Sequence, residues 1–157
     1  RHITRVSDIG SLTIKYNLTS QILNDKEDIN KKVDIIIVNS FGVLEKYYDY
    51  CKNVFVGKSM LKKLDNVGGQ NPIEPAKQGC KVFHGPYVYN FKEIYEFLNS
   101  NDIAIQVHNE QDLSGKLIES FEAKNISSTR YIDNLEKYGD KILTETISNI
   151  KNYINIY

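Results

Sequence analysis

Nothing in this sequence offers a membrane span, a metal cage or a surplus of charge. No apolar run approaches the roughly 20 residues that cross a bilayer as a helix. Twenty lysines and arginines balance twenty acids, so the formal net charge is zero, whereas a nucleic-acid surface normally carries a basic excess. Arginine is scarce and stands only at Arg1, Arg5 and Arg130. Cys51 and Cys80 form no CxxC pair and have no histidine at ligand spacing. That excludes a zinc-type cluster and leaves two buried free thiols in a reducing compartment as the expectation. No Ser/His/Asp order, paired acids or metal-ligand spacing stands out, so no general base, metal or cofactor is expected within the chain. Its 157 residues suffice for one domain with a real core. The richness in Lys, Asn, Ile and Tyr reads as coding composition rather than function.

What is present is an alternation of short apolar strands with helices. The pattern predicts a short helix over 3–10, a strand over Ser11–Tyr16 and a polar loop over Asn17–Lys32. Val33–Val38 is a β-branched run of the kind buried on both faces of a parallel sheet. A helix over Val43–Tyr50 and a strand over Asn53–Val56 follow. Next come a short helix over Pro72–Gln78 stopped by Gly79, and a strand over Cys80–Phe83. Asn90–Asn99 is amphipathic through Phe91, Ile94, Tyr95 and Leu98, with Asn90 as its expected cap. A central strand over Ile103–Val107, a helix over 110–123 and a long helix over Ser127–Ile156 complete the chain. That last helix carries Ile132, Leu135, Ile142, Leu143, Ile147, Ile150 and Ile154 on one face, with a break allowed near Gly139. The alternation implies an α/β fold, a Rossmann-like doubly wound parallel sheet with flanking helices.

Residues 66–91, NVGGQNPIEPAKQGCKVFHGPYVYNF, carry the most chemistry. A glycine turn opens a helix, a carboxylate stands one turn inside, and a buried strand then ends at His84-Gly85-Pro86. A helix start presents unpaired N–H groups, which suits a phosphate, and Pro72 fits a first turn because its missing N–H has no helical partner to lose. Glu74 at the mouth suits a ribose diol. A capped α/β loop without ligand is equally allowed by the local pattern. In open α/β sheets, however, ligands sit beyond the carboxyl ends of the strands. The turns at Asn39–Val43, Gly57–Leu61, Gly68–Glu74 and Gly85–Asn90 all fall at such ends. His84 reads as a structural histidine and Lys58 as solvent-facing.

This segment resembles the donor-binding segment of the GT-B glycosyltransferases, above all the 3-deoxy-D-manno-octulosonic acid (Kdo) transferases, whose motif runs Gly-Gly-His-Asn-Pro-x-Glu. Further matches follow in order: Arg1-His2 resembles the end of Pro-Arg-His, and Asp34–Tyr48 the strand, Gly turn and helix that come next. Val54–Ser59 resembles Phe-Val-Gly-Gly-Ser, and Gly85-Pro86 with Asn90-Phe91 resembles Gly-Pro-x-x-x-Asn-Phe. The resemblance implies that Asn71 and the helix start, with Pro72 and Ile73, hold the phosphate of a cytidine nucleotide. It places Glu74 on the ribose, lets the backbone approach closely at Gly69, and aims Arg1 at the donor's charged groups. Phe41, Gly42 and Val43 match a Met-Gly-Glu turn that touches the nucleotide, where Val43 replaces the acid. Gln70 stands where many members carry His, so it donates a hydrogen bond but no charge.

On this resemblance the chain is expected to be a single donor domain, residues 1–157, the C-terminal half of a larger enzyme. The whole protein would move Kdo from CMP-Kdo to a lipid A precursor at the cytoplasmic face of the bacterial inner membrane. The other half would supply the catalytic base, the acceptor site and any membrane contact, and this half alone would bind nucleotide weakly and catalyse nothing. Two alternatives stay open: a GT-B enzyme using a UDP- or GDP-sugar, and a non-catalytic nucleotide-binding domain.

Overall fold

The computed structural model describes residues 3–123 and 129–154. The chain divides into two units, residues 1–44 and 45–157.

In the first unit, helix α1 (Ile3–Lys15) precedes two parallel strands, β1 (Ser20–Leu23) and β2 (Ile35–Val38). The strand expected over Ser11–Tyr16 is therefore the end of a helix. Its apolar residues Leu12, Ile14 and Tyr16 remain exposed, and Thr13 is the buried residue of this turn. Thr13 Oγ1 bonds to the Gly10 carbonyl at 2.8 Å and lies 3.0 Å from Ser20 Oγ. Asn17, at φ 55, ends the helix in a left-handed cap. Its N–H donates to Ile14 O, and that of Leu18 donates to Thr13 O, the paired bonds of a Schellman motif. Strand β1 lies inside the expected loop. Asp34 fixes it beside β2, because its Oδ2 accepts from the Thr19 N–H at 2.8 Å and the Thr19 hydroxyl at 2.7 Å. These hydrogen bonds to the charged form hold the Asp34 carboxyl below its ordinary pKa. Of the β2 residues Ile35–Val38 only Ile37 is buried, so the run is less enclosed than its composition predicts.

The second unit holds a three-stranded parallel sheet in the order β3 (Asn53–Phe55), β4 (Lys81–His84), β5 (Ala104–Gln106). Strand β4 is thus the middle strand. Strand β5, expected to be central, lies at the edge of this sheet among the described residues. Helices α2 (Glu45–Tyr48), α3 (Ile73–Lys77), α4 (Lys92–Ser100), α5 (Glu110–Glu122) and α6 (Thr129–Ile154) complete the unit. Val56, Ala76, Val82, Val88, Tyr95, Leu98, Ile103, Ala104 and Leu135 form its core. Helix α4 buries Tyr95 and Leu98, as its 3–4 spacing predicts, and α5 starts on Asn109, whose side chain accepts from the Asp112 N–H at 2.8 Å.

Helix α6 runs through Gly139 without a break. Its expected apolar face is used only in part. Leu135 is buried and Tyr138 stacks on Phe97 at 4.0 Å between ring centroids, while Ile142, Leu143, Ile147, Ile150 and Ile154 are exposed. The thiols also differ from expectation: Cys80 is buried and Cys51 is exposed. Cys80 Sγ lies 3.0 Å from the Cys51 carbonyl, and burial raises its pKa.

Candidate functional site

Three of the four sequence-predicted turns meet at the carboxyl ends of β3 and β4. Ser59, fully buried, ties these two strand ends together. Its hydroxyl donates to Val56 O at 2.6 Å and accepts the Gly85 N–H at 2.9 Å, and its carbonyl accepts the Tyr87 N–H at 2.8 Å. Gly85 must be glycine here, since a Cβ would lie 2.3 Å from Ser59 O and 2.5 Å from Met60 Cα.

The Gly68–Glu74 loop is laid over that junction. The Gln70 N–H donates to Gly57 O at 3.3 Å. Asn90 Nδ2 donates to Gly69 O at 2.9 Å, and the Tyr95 hydroxyl donates to Gln70 O at 2.9 Å. Asn90 was expected to cap the following helix, but α4 has no side-chain cap, and Asn90 instead holds the glycine turn. Gly68 sits at φ 73, and a Cβ there would lie 2.0 Å from Asn90 Oδ1. At Gly69 the place of a side chain is bounded by Val88 Cγ1 at 3.1 Å and the Tyr95 hydroxyl at 3.2 Å. The close approach on that side is therefore made by the protein's own residues.

Beyond Gln70 the loop turns into α3. Asn71 Oδ1 accepts the Ile73 N–H at 3.0 Å, which leaves its amide NH2 as the donor of that side chain. Pro72 stands one position earlier than the first-turn site expected for it: it is the N-cap, and its carbonyl accepts the Ala76 N–H at 3.2 Å. Gly79, at φ 74, stops the helix as predicted. Pro72, Pro75 and Ala76 are buried and Ile73 is half-buried, while Gln70, Asn71 and Glu74 are exposed. The loop thus presents a polar edge of two amides and one carboxylate. Burial, and then the Glu74 charge, raise the pKa of the Tyr48 phenol, which puts the Glu74 carboxylate in the field of α2. Helix α3 is only five residues long, Pro72 and Pro75 carry no N–H and that of Ile73 is taken by Asn71, so the donors this edge offers are chiefly the side-chain amides of Gln70 and Asn71 rather than a long helix dipole.

The other expected residues are found as follows. Phe41, Gly42 and Val43 form the turn after β2 in the first unit, where Phe41 is 68% exposed and Gly42 has φ 68. Arg1 and His2 lie outside the described residues. Lys58 is exposed, in line with its solvent-facing reading, but at φ 66 it occupies the left-handed region, at the position where the Gly-Gly-Ser pattern has glycine. His84 is fully buried, with Nδ1 2.7 Å from Gly85 O, Nε2 3.2 Å from the Asn99 side chain, and its ring 4.3 Å from that of Tyr95. Burial lowers its pKa, so the neutral ring donates through Nδ1, a structural role. Sequence reasoning missed Ser59, Asn90 and Tyr95 as builders of the site. Their partners are mostly backbone atoms 21 to 26 residues away, which no local pattern encodes. Among the described residues no cluster of His, Cys, Asp and Glu could hold a metal ion.

No family model matches the chain. It is 35% identical over 95 residues to a 3-deoxy-D-manno-octulosonic acid transferase of Aquifex aeolicus, covering 60% of this chain and 26% of the relative. It is 33% identical over 124 residues to a bifunctional glycosyltransferase/methyltransferase of Fusobacterium nucleatum, covering 78% of this chain and 19% of the relative. The chain therefore spans about a quarter of the first relative's length and about a fifth of the second's. Among solved structures, the C-terminal CMP-Kdo binding domain of WaaA from Acinetobacter baumannii matches with a TM-score of 0.69 at 20% identity, over 87% of this chain and 69% of that one. By sequence the chain is thus similar to part of the Kdo transferases, and its α/β fold is similar to that of this CMP-Kdo binding domain.

Proposed function

We propose that this chain is the donor-binding domain of a Kdo transferase and that its Gly68–Glu74 loop receives the nucleotide of CMP-Kdo. The observation that carries the reading is the exposed edge of Gln70, Asn71 and Glu74, held by side-chain bonds at the carboxyl ends of parallel strands. That is where open α/β sheets bind ligands.

The chemistry follows from the donor. Transfer breaks the bond between the sugar's anomeric carbon and a phosphate oxygen, and CMP departs with the electron pair. The charge to be stabilised is therefore on the leaving phosphate. The Asn71 amide NH2, fixed by the bond its Oδ1 accepts from the Ile73 N–H, supplies a donor for it without reorganisation at the moment of cleavage. Glu74 accepts hydrogen bonds from the ribose hydroxyls. Gln70 adds a neutral donor where a histidine would add charge.

The complete protein would transfer Kdo to a lipid A precursor such as lipid IVA, at the cytoplasmic face of the bacterial inner membrane. The catalytic base and the acceptor site would come from a further domain. No helix among the described residues is long and apolar enough to cross a membrane, which is compatible with peripheral attachment. The likeness to the Fusobacterium nucleatum relative, whose name gives a glycosyltransferase without its sugar, keeps a second reading open: a related glycosyltransferase domain that takes a UDP- or GDP-sugar.

The test is transfer from CMP-Kdo by a full-length protein carrying this chain. Asn71→Ala and Glu74→Ala should each lower kcat/KM by tenfold or more, which corresponds to at least about 1.4 kcal/mol of lost transition-state stabilisation. Wild-type rates in both variants would remove the site from the reaction.

A further inference from the structure

The structure assigns Asn90 and Tyr95 a positioning role: two side chains from the Gly85–Ser100 segment grip consecutive carbonyls of the Gly68–Glu74 loop and so set where Asn71 and Glu74 stand. This inference rests on the loop being the nucleotide-facing segment.

The grip covers three successive residues. Asn90 occupies the space that a Gly68 side chain would fill, with Oδ1 2.0 Å and Cγ 2.4 Å from the ideal Cβ position. The same amide donates through Nδ2 to Gly69 O at 2.9 Å, and one residue on, the Tyr95 hydroxyl donates to Gln70 O at 2.9 Å. The Tyr89 hydroxyl bonds to Asn66 O just upstream. Tyr95 is itself immobilised: it is 1% exposed, and its ring lies against His84. Burial raises its pKa, which keeps the hydroxyl protonated as a donor.

Neither Asn90 nor Tyr95 needs to touch a ligand to act. The gripped carbonyls belong to the residues immediately before Asn71. Asn71 Oδ1 then accepts the Ile73 N–H and starts the helix that carries Glu74. A shift of the Gly69 or Gln70 peptide is therefore passed directly to both candidate ligand contacts. Glycine at 68 and 69 gives the loop its path but also leaves it with the fewest conformational restraints of its own. The restraint comes from the opposing segment, which gives a physical reason for a Gly-Gly turn and an Asn-Phe step to occur in one site.

The experiment compares Tyr95→Phe and Asn90→Ala with Leu98→Ala, which opens the buried face of α4 at a residue with no hydrogen-bonding side chain to offer the loop. Two readouts are needed: the Kd for CMP, and amide hydrogen exchange across residues 68–74. The two grip variants should weaken CMP by about fivefold to tenfold and speed loop exchange by a similar factor, the effect of one hydrogen bond. Leu98→Ala should lower thermal stability more than Tyr95→Phe while leaving CMP affinity and loop exchange unchanged. Wild-type exchange in Tyr95→Phe and Asn90→Ala would overturn the inference. Equal weakening by Leu98→Ala would also overturn it, because the effect would then be general loss of stability. If the wild-type chain binds no CMP, the nucleotide reading fails on its own, and loop exchange alone decides whether the grip exists.

Discussion

Adding one methyl group at Gly85 tests the junction on which the site is built. A Cβ there would lie 2.3 Å from Ser59 O, 2.5 Å from Met60 Cα and 2.6 Å from Ser59 C. All three are backbone atoms, so no side-chain rotation relieves the overlap. Ser59 O is also bonded to the Tyr87 N–H at 2.8 Å, and Ser59 Oγ to the Gly85 N–H at 2.9 Å. Any shift that makes room stretches these two bonds. Overpacking of this kind costs about 1–3 kcal/mol, and each weakened buried hydrogen bond adds about 1 kcal/mol. Gly85→Ala should therefore destabilise the protein by about 3–5 kcal/mol, a large share of the ~5–15 kcal/mol that holds a domain folded. The assay is urea unfolding followed by circular dichroism, with Gly57→Ala as the control. Gly57 ends the neighbouring strand, has nothing within 4 Å of its ideal Cβ, and should change stability by less than about 0.5 kcal/mol. Equal midpoints for the two variants would refute the apposition of the Gly57–Leu61 and Gly85–Asn90 turns.

Lys58→Gly should raise stability by about 0.5–1 kcal/mol. The left-handed backbone at φ 66 costs a side chain ~1–2 kcal/mol, and the greater unfolded-state freedom of glycine takes back part of the gain. A lower urea midpoint for the variant would show that the Lys58 side chain contributes to the fold. In α6, Gly139 is exposed, lies inside the helix and has open space at its Cβ, so Gly139→Ala should add about 0.5–1 kcal/mol. A loss of stability there would mean that the helix does not run through this position. For His84 the sign follows from its lowered folded pKa. The unfolded chain takes up a proton below about pH 6.5 that the folded chain refuses, so this contribution is present above pH 6.5 and is lost as the pH falls toward the folded pKa. Urea midpoints should drop between pH 7 and 5.5 while the His84 ring resonances stay those of a neutral imidazole. Resonances already titrating near pH 6.5 would contradict its burial.

Much of the second unit was legible because its signals are local. The runs Val54–Val56 and Val82–Phe83, the 3–4 spacing of α4 and the stop at Gly79 each announce their element within a few residues. The first unit was read less well. Leu12, Ile14 and Tyr16 alternate like a strand, yet the helix there is decided by the buried Thr13 and the left-handed cap at Asn17. Asparagine is the usual alternative to glycine at such a cap, so that signal was in the sequence. Strand β1 has no pattern of its own and exists through its pairing with β2 and the Asp34–Thr19 bonds. In the candidate site, the types and order of residues pointed to the Gly68–Glu74 loop. What could not be read was the work of Ser59, Asn90 and Tyr95, since each serves a backbone atom far away in sequence. The exposure of Cys51 and of the later α6 isoleucines was equally hidden, because apolar composition states what would gain from burial and not what is available to cover it.

Calorimetric titration of this chain with CMP, with UMP and Glu74→Ala in parallel, tests the central claim most directly. The account predicts selective binding of CMP that weakens tenfold or more in Glu74→Ala. Tighter binding of UMP, or CMP affinity untouched by the substitution, would contradict it.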